Sequence, residues 1–217
     1  MGKSSAETAD NSGPLEKRIV SKNWSVRAGA YEELTKLCTD GPEKSKADHF
    51  NQHCSEWKTY LKDSNPGALE KALNCLEIFL DKIHPSILVP NQNDMINMLV
   101  EKCLGHAKPV IKKKAEDCLL LIFEVGENFD ESIDTLSALI KHKNIKVLQS
   151  GTSAVALLVE QFGVKKVKIP DFAKQMLANA QHTNPAVKNA AYDFYKAVYK
   201  WIADAILPQI EDKLKPI

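Results

Sequence analysis

At 217 residues, 44% hydrophobic and 26% charged, the chain is long enough to bury a core without metals or disulfides. Its formal net charge of +1 excludes a uniformly basic binder of nucleic acid or membrane surface, so any charge signal must lie in its distribution. Five cysteines without a CxxC pair, an odd count and no signal-peptide pattern point to a reducing compartment, and no apolar run approaches the roughly 18 residues needed to span a membrane.

Residues 1–13, "MGKSSAETADNSG", are small and polar and are expected to be a disordered lead-in. From Pro14 onward the chain reads at a period near 3.6. Val26, Ala30, Leu34, Leu37 and Cys38 form one apolar stripe, Ala72, Leu73, Leu76, Phe79, Leu80 and Ile83 a second, and Ala190, Phe194, Val198, Trp201 and Ala205 a third. Trp57 and Trp201 fall within such stripes and are expected in the core, as are the five cysteines.

Five short segments superimpose: Asn23-Trp24-Ser25-Val26-Arg27, Asn65-Pro66-Gly67-Ala68-Leu69, Lys108-Pro109-Val110-Ile111-Lys112, Asn144-Ile145-Lys146-Val147-Leu148 and Asn184-Pro185-Ala186-Val187-Lys188. Their starts lie 42, 43, 36 and 40 residues apart. In each, Asn or Lys is placed to cap a helix, Pro is favoured at the first helical position, and the fourth residue begins the buried stripe. Repeats of about 40 residues built from two antiparallel helices predict an all-α HEAT-repeat solenoid, a flat paddle of helix pairs. The pairs are read at 14–38, 46–83, 92–125, 130–161 and 168–207, with "TDGPEKS" and "HPSILVPNQND" as connecting loops and an irregular bundle as the structural alternative. Residues 14–217 read as a single domain, and the ending "EDKLKPI" suggests a fragment of a longer protein.

The ten-residue windows around the five turns hold ten Lys plus Arg against two Asp plus Glu, giving the turns +8 and the rest of the chain −7. A helix N-terminus disfavours cations by about 0.3 to 1 kcal/mol each, yet Arg27, Lys112, Lys113, Lys114, Lys146 and Lys188 sit in first turns. The sequence reads them as placed for something other than folding. Aligned along one edge at about 8 to 10 Å per helix, five turns make a basic ridge on the order of 40 Å long. Such a ridge suits a large acidic protein surface or a nucleic-acid backbone, with Trp24 as an aromatic anchor at one end.

No GxxxxGK[ST], GxSxG, GxGxxG or HExxH motif is present, so no catalytic residue is named. His49 and His53 have helical metal-ligand spacing but no third ligand nearby, and neither a metal nor a cofactor is expected.

The segments "PLEKRIVSKNWSVRAGAYEEL", "YLKDSNPGALEKAL" and "NPAVKNAAYDFYKAVYKWIADAILP" resemble the TOG domains of the microtubule polymerases named after the colonic and hepatic tumour overexpressed gene, in particular the first domain of the array. The likeness extends from Pro14 across nearly the whole chain; W-x-x-R-x-x-A-Y-E-E-L and VYKWI are its specific parts. The resemblance implies a monomeric paddle whose turns bind one αβ-tubulin heterodimer, preferring the curved form, in the cytoplasm at microtubule plus ends, spindle poles or kinetochores. It implies that Trp24, Arg27 and Asn65 face β-tubulin, that Lys108, Lys112, Asn144, Lys146 and Asn184 add contacts, and that Lys188 meets α-tubulin. Lys188 stands where the family usually has arginine, keeping the charge without the bidentate fork. Pro66, Gly67 and Ala68 replace larger aliphatic residues. Binding of nucleic acid or membrane is not implied. Two other readings are a HEAT adaptor holding an acidic peptide on its inner helices and, from the enzyme class, a HEAT-like DNA glycosylase.

Overall fold

The computed structural model describes residues 12–40, 42–127 and 129–206. Most of the expected N-terminal lead-in, and the ending "EDKLKPI", lie outside them. Among the described residues there is no strand. Five helical pairs follow one another among the described residues, each with a long second helix and a shorter or broken first one.

The second helices are α2 (Trp24–Thr39), α5 (Pro66–Lys82), α8 (Pro109–Val125), α10 (Ile145–Lys166) and α12 (Pro185–Ile202). The first members are α1 (Leu15–Arg18), the α3–α4 run (Glu43–His53 and Trp57–Tyr60), the α6–α7 run (Pro85–Leu88 and Gln92–Met98), α9 (Phe129–Leu139) and α11 (Ile169–Ala180). The expected stripes of α2 and α5 are buried, Leu37 only partly. Trp57, Tyr60, Phe50 and Phe79 meet edge to face, with ring centroids 4.9 to 5.4 Å apart, and fasten the second pair together. All five cysteines are buried thiols, and burial pushes Cys38 and Cys54 up to about 11 and Cys75 and Cys103 up to about 12.

The segment "HPSILVPNQND" is helical rather than a loop. His84 Nδ1 accepts from the Ser86 N–H, Pro85 starts α6, and Leu88 is fully buried. Pro90 then denies the helix an interior N–H, and Val89–Asn91 tightens to a 3₁₀ turn before α7 resumes. After α7 a π-helical turn, Leu99–Cys103, closed by Leu104 N–H to Leu99 O at 2.9 Å, keeps Leu99, Val100 and Cys103 all buried. α2, α5 and α8 pack side by side, as do α10 and α12, whereas α8 and α10 barely touch. The junction of the two blocks is made by the π turn against α10, by α7 against α9, and by a buried hydrogen bond from Gln92 Nε2 to Ser132 Oγ at 2.5 Å.

Trp201 and Ala205 depart from the expected α12 stripe. α12 ends at Ile202, where Ala203 takes φ 47°, so Ala205 is exposed and Trp201 remains 52% exposed. The Trp201 ring lies against Gly163, which holds φ 80° and kinks α10; a β-carbon there would sit 3.2 Å from the indole.

Candidate functional site

The turn joining the first helix of each pair to the second has the same backbone in all five pairs. The cap residues Asn23, Asn65, Lys108, Asn144 and Asn184 have φ between −88° and −76° and ψ between 117° and 121°. Four are asparagines whose Oδ1 accepts the N–H two residues on: Ser25 at 3.0 Å, Gly67 at 2.8 Å, Lys146 at 2.9 Å and Ala186 at 2.9 Å. The cap Oδ1 atoms of Asn65, Asn144 and Asn184 are thus committed to their own turns. Lys108 has no such oxygen and makes no side-chain cap.

A second acceptor, which the motif reading passed over, holds the other side of each turn. Two residues before the cap stand Ser21, Asp63, His106, His142 and His182, and each accepts the backbone N–H of its cap residue at 2.9 to 3.2 Å. The signal was present in the sequence as S/D/H-x-N/K at the same offset in every repeat.

Trp24 heads the first turn and is 48% exposed. Its ring edge reaches across to the second turn, where a β-carbon on Gly67 would lie 3.2 Å from Cζ3. The small residues of turn two therefore make room for the indole. Arg27 is no free cation: its Nε and Nη2 donate to both oxygens of Asp63 at 2.6 Å, and its Nη1 donates to the carbonyls of Ser21 and Lys22. Asp63, with 1% of its side chain exposed, also accepts from Asn65 N–H. Arg27 thus has a folding role, contrary to the sequence reading of a cation placed at the helix's expense; Asp63 raises its pKa further.

The free positive charge lies in turns three to five. Their windows hold seven lysines and no carboxylate, although Lys113 pairs with Asp117 at 2.8 Å and Lys114 lies 3.9 Å from Glu77. Among the described residues Lys108, Lys143 and Lys146 make no ion pair; Lys112 has only a 3.9 Å approach to Glu116, and Lys188 lies 6.0 Å from the Tyr192 ring centre. Three exposed apolar residues that the sequence reading did not single out, Val20, Val110 and Ile145, share this edge with Trp24. The edge thus carries its exposed indole at the first turn and lysines interleaved with exposed apolar residues from the third turn on.

The surface of the second helices differs. The groove between α8, α10 and α12 is lined by Lys112, Glu116, Glu160, Asp193, Lys196 and Lys200, and its charges largely pair, as in Lys200 with Glu160 and Lys196 with Asp193. Asp63, the buried carboxylate among the turns, is fully engaged by Arg27 and Asn65 and offers no base for glycosidic chemistry.

Residues 10–217 match the family model described as the TOG domain of XMAP215/Dis1/CLASP proteins. Centrosomal protein 224 of Dictyostelium discoideum is 30% identical over 95% of the chain, and spindle pole body component alp14 of Schizosaccharomyces pombe is 28% identical over 94%. The chain spans 10% and 25% of those two proteins. Among solved structures, a chain from a study of tubulin recruitment by microtubule polymerases with TOG domain arrays superimposes with a TM-score of 0.78 at 24% identity, covering 93% of this chain and 43% of that one. Drosophila melanogaster Mini spindles TOG3 superimposes at 0.72 and 21% identity, covering 93% and 86%. The chain belongs to the TOG-domain family of XMAP215/Dis1/CLASP proteins.

Proposed function

We propose that the chain binds the αβ-tubulin heterodimer along the edge made by its five turns, as one domain of a longer microtubule polymerase or plus-end regulator. The asymmetry of that edge carries the reading: a half-exposed indole at one end and, toward the other, lysines of which Lys108, Lys143, Lys146 and Lys188 make no ion pair among the described residues, on five turns of one geometry.

Trp24 docks on β-tubulin with Asn65 beside it. Lys108, Lys112, Asn144, Lys146 and Asn184 line the middle of the contact, and Lys188 reaches α-tubulin. Arg27 serves from behind, holding turns one and two at a fixed separation through Asp63. The lysines steer an acidic partner and the indole slows its departure. A rigid edge that touches both subunits at one relative angle favours curved over straight tubulin through differential affinity. Residues 14–217 act as one monomeric domain of a tethered array, which raises the local tubulin concentration at microtubule ends and spindle poles. The role is binding, with no chemical step.

Sedimentation velocity of the chain with purified αβ-tubulin at low salt tests this. A one-to-one complex that weakens as salt rises is expected; a folded chain that leaves tubulin sedimenting alone contradicts the proposal.

A further inference from the structure

We propose that His106, His142 and His182 are positioning residues for the binding edge, each latching its turn through Nδ1 as the Nε2–H tautomer. The inference rests on the edge being the binding surface, as proposed above.

The geometry repeats in detail. Each histidine donates its own N–H to a carbonyl three residues back, Cys103, Leu139 and Asn179, at 3.0 to 3.1 Å, closing the end of the first helix. Each then accepts at Nδ1 the N–H of the residue two positions on, Lys108 at 3.0 Å, Asn144 at 3.0 Å and Asn184 at 2.9 Å. In turns one and two Ser21 Oγ and Asp63 Oδ1 do the same for Asn23 and Asn65. All five repeats therefore supply an acceptor at one position, and three supply it with a ring nitrogen.

A nitrogen that accepts a backbone N–H carries a lone pair, so the neutral ring bears its proton on Nε2. A protonated ring has N–H on both nitrogens and cannot accept. The latch is not equally important in the three turns. Asn144 and Asn184 still cap their helices if the histidine is lost, whereas Lys108 has no side-chain cap, so among the described residues His106 is the side-chain acceptor that holds the turn presenting Lys108 and Lys112.

Two measurements decide the matter. Long-range proton–nitrogen spectra of the labelled chain at pH 7.5 should show all three rings as the Nε2–H tautomer. The amide protons of Lys108, Asn144 and Asn184 should show hydrogen-bonded shifts in the same spectra, and that of Lys108 should lose its shift in His106→Ala. In tubulin binding at pH 7.5, His106→Ala should weaken the complex about fivefold to tenfold, with His142→Ala and His182→Ala nearer twofold, while His106→Asn, whose Oδ1 replaces Nδ1, stays within about twofold of the unaltered chain. Circular dichroism checks that each variant keeps its helices. Nδ1–H tautomers, or His106→Ala binding as tightly as the unaltered chain, would overturn the proposal. An unaltered chain that ignores tubulin removes the functional reading and the positioning role with it, and the spectra still decide whether the latch exists.

Discussion

The guanidinium of Arg27 holds both carboxylate oxygens of Asp63 at 2.6 Å, across 36 residues of sequence, and so joins the first of the five turns to the second. The Asp63 side chain is almost completely buried, and nothing else of positive charge engages it among the described residues. The pair is the hinge pin of the apolar end of the edge.

Removing Arg27 leaves that carboxylate buried without its partner. Arg27→Ala is expected to lower unfolding free energy by about 3 kcal/mol in urea titrations, and Arg27→Lys to recover only part, since ammonium cannot make the two-pronged contact. The double variant Arg27→Ala with Asp63→Asn should lose less than Arg27→Ala alone. Equal losses in the two would show that the pair is not coupled.

Gly67 is small because Trp24 lies over it. Gly67→Ala places a methyl group 3.2 Å from the indole, a distance that requires the ring to move. Stability should change by less than about 1 kcal/mol, because alanine favours the helix that begins there. Tubulin affinity should nevertheless fall, and Trp24→Ala should cost about 2 kcal/mol or more of binding, as for a central aromatic anchor. Parallel thermal melts and binding isotherms separate the two effects.

On the proposed tubulin-binding edge, Lys146 and Lys188 are expected to act mainly on association. Lys146→Ala combined with Lys188→Ala should lower the association rate about tenfold at low ionic strength, and the difference should shrink when the salt is raised to shorten the screening length. Stopped-flow mixing with tubulin at two salt concentrations measures this directly. A change confined to dissociation would assign the lysines to close packing instead.

His53 gives the fold a pH dependence of its own. It is buried, its Nδ1 pairs with Tyr60 Oη at 2.9 Å, and burial, with His49 adding to it, lowers its pKa. A histidine lowered in the folded state binds fewer protons than in the unfolded chain, so stability is complete above the unfolded value of about 6.5 and declines as pH falls below it. His53→Gln, which keeps an acceptor for Tyr60, should flatten the fall in melting temperature between pH 7 and pH 5.5. An unchanged slope would locate the sensitivity elsewhere.

The helix pairs were legible because capping and burial are local in sequence: Asn or Lys at the cap, Pro after it in three of the five turns, and an apolar residue at the fourth place mark each second helix, and those helices start there. What escaped was decided by partners distant in the chain. Arg27 looks like a misplaced cation until Asp63 is brought beside it, and Gly67 looks like a lost contact until Trp24 covers it. Trp201 has the right spacing for the core, but a backbone break after Ile202 and the kink at Gly163 leave it on the surface. The first helices were harder to read, since Pro90 and a π turn interrupt the periodicity on which the reading depends. The turn histidines were visible at a constant offset, yet their role depends on which ring nitrogen meets the backbone, and spacing alone does not specify that.

Hydrogen exchange of the chain with and without αβ-tubulin tests the central claim most directly. The account predicts slowed exchange in five separated segments, near residues 21–27, 63–69, 106–112, 142–148 and 182–188, with little change on the outer surfaces of α8, α10 and α12. Protection confined to those helix surfaces, with the five turns exchanging as in the unbound chain, would contradict it.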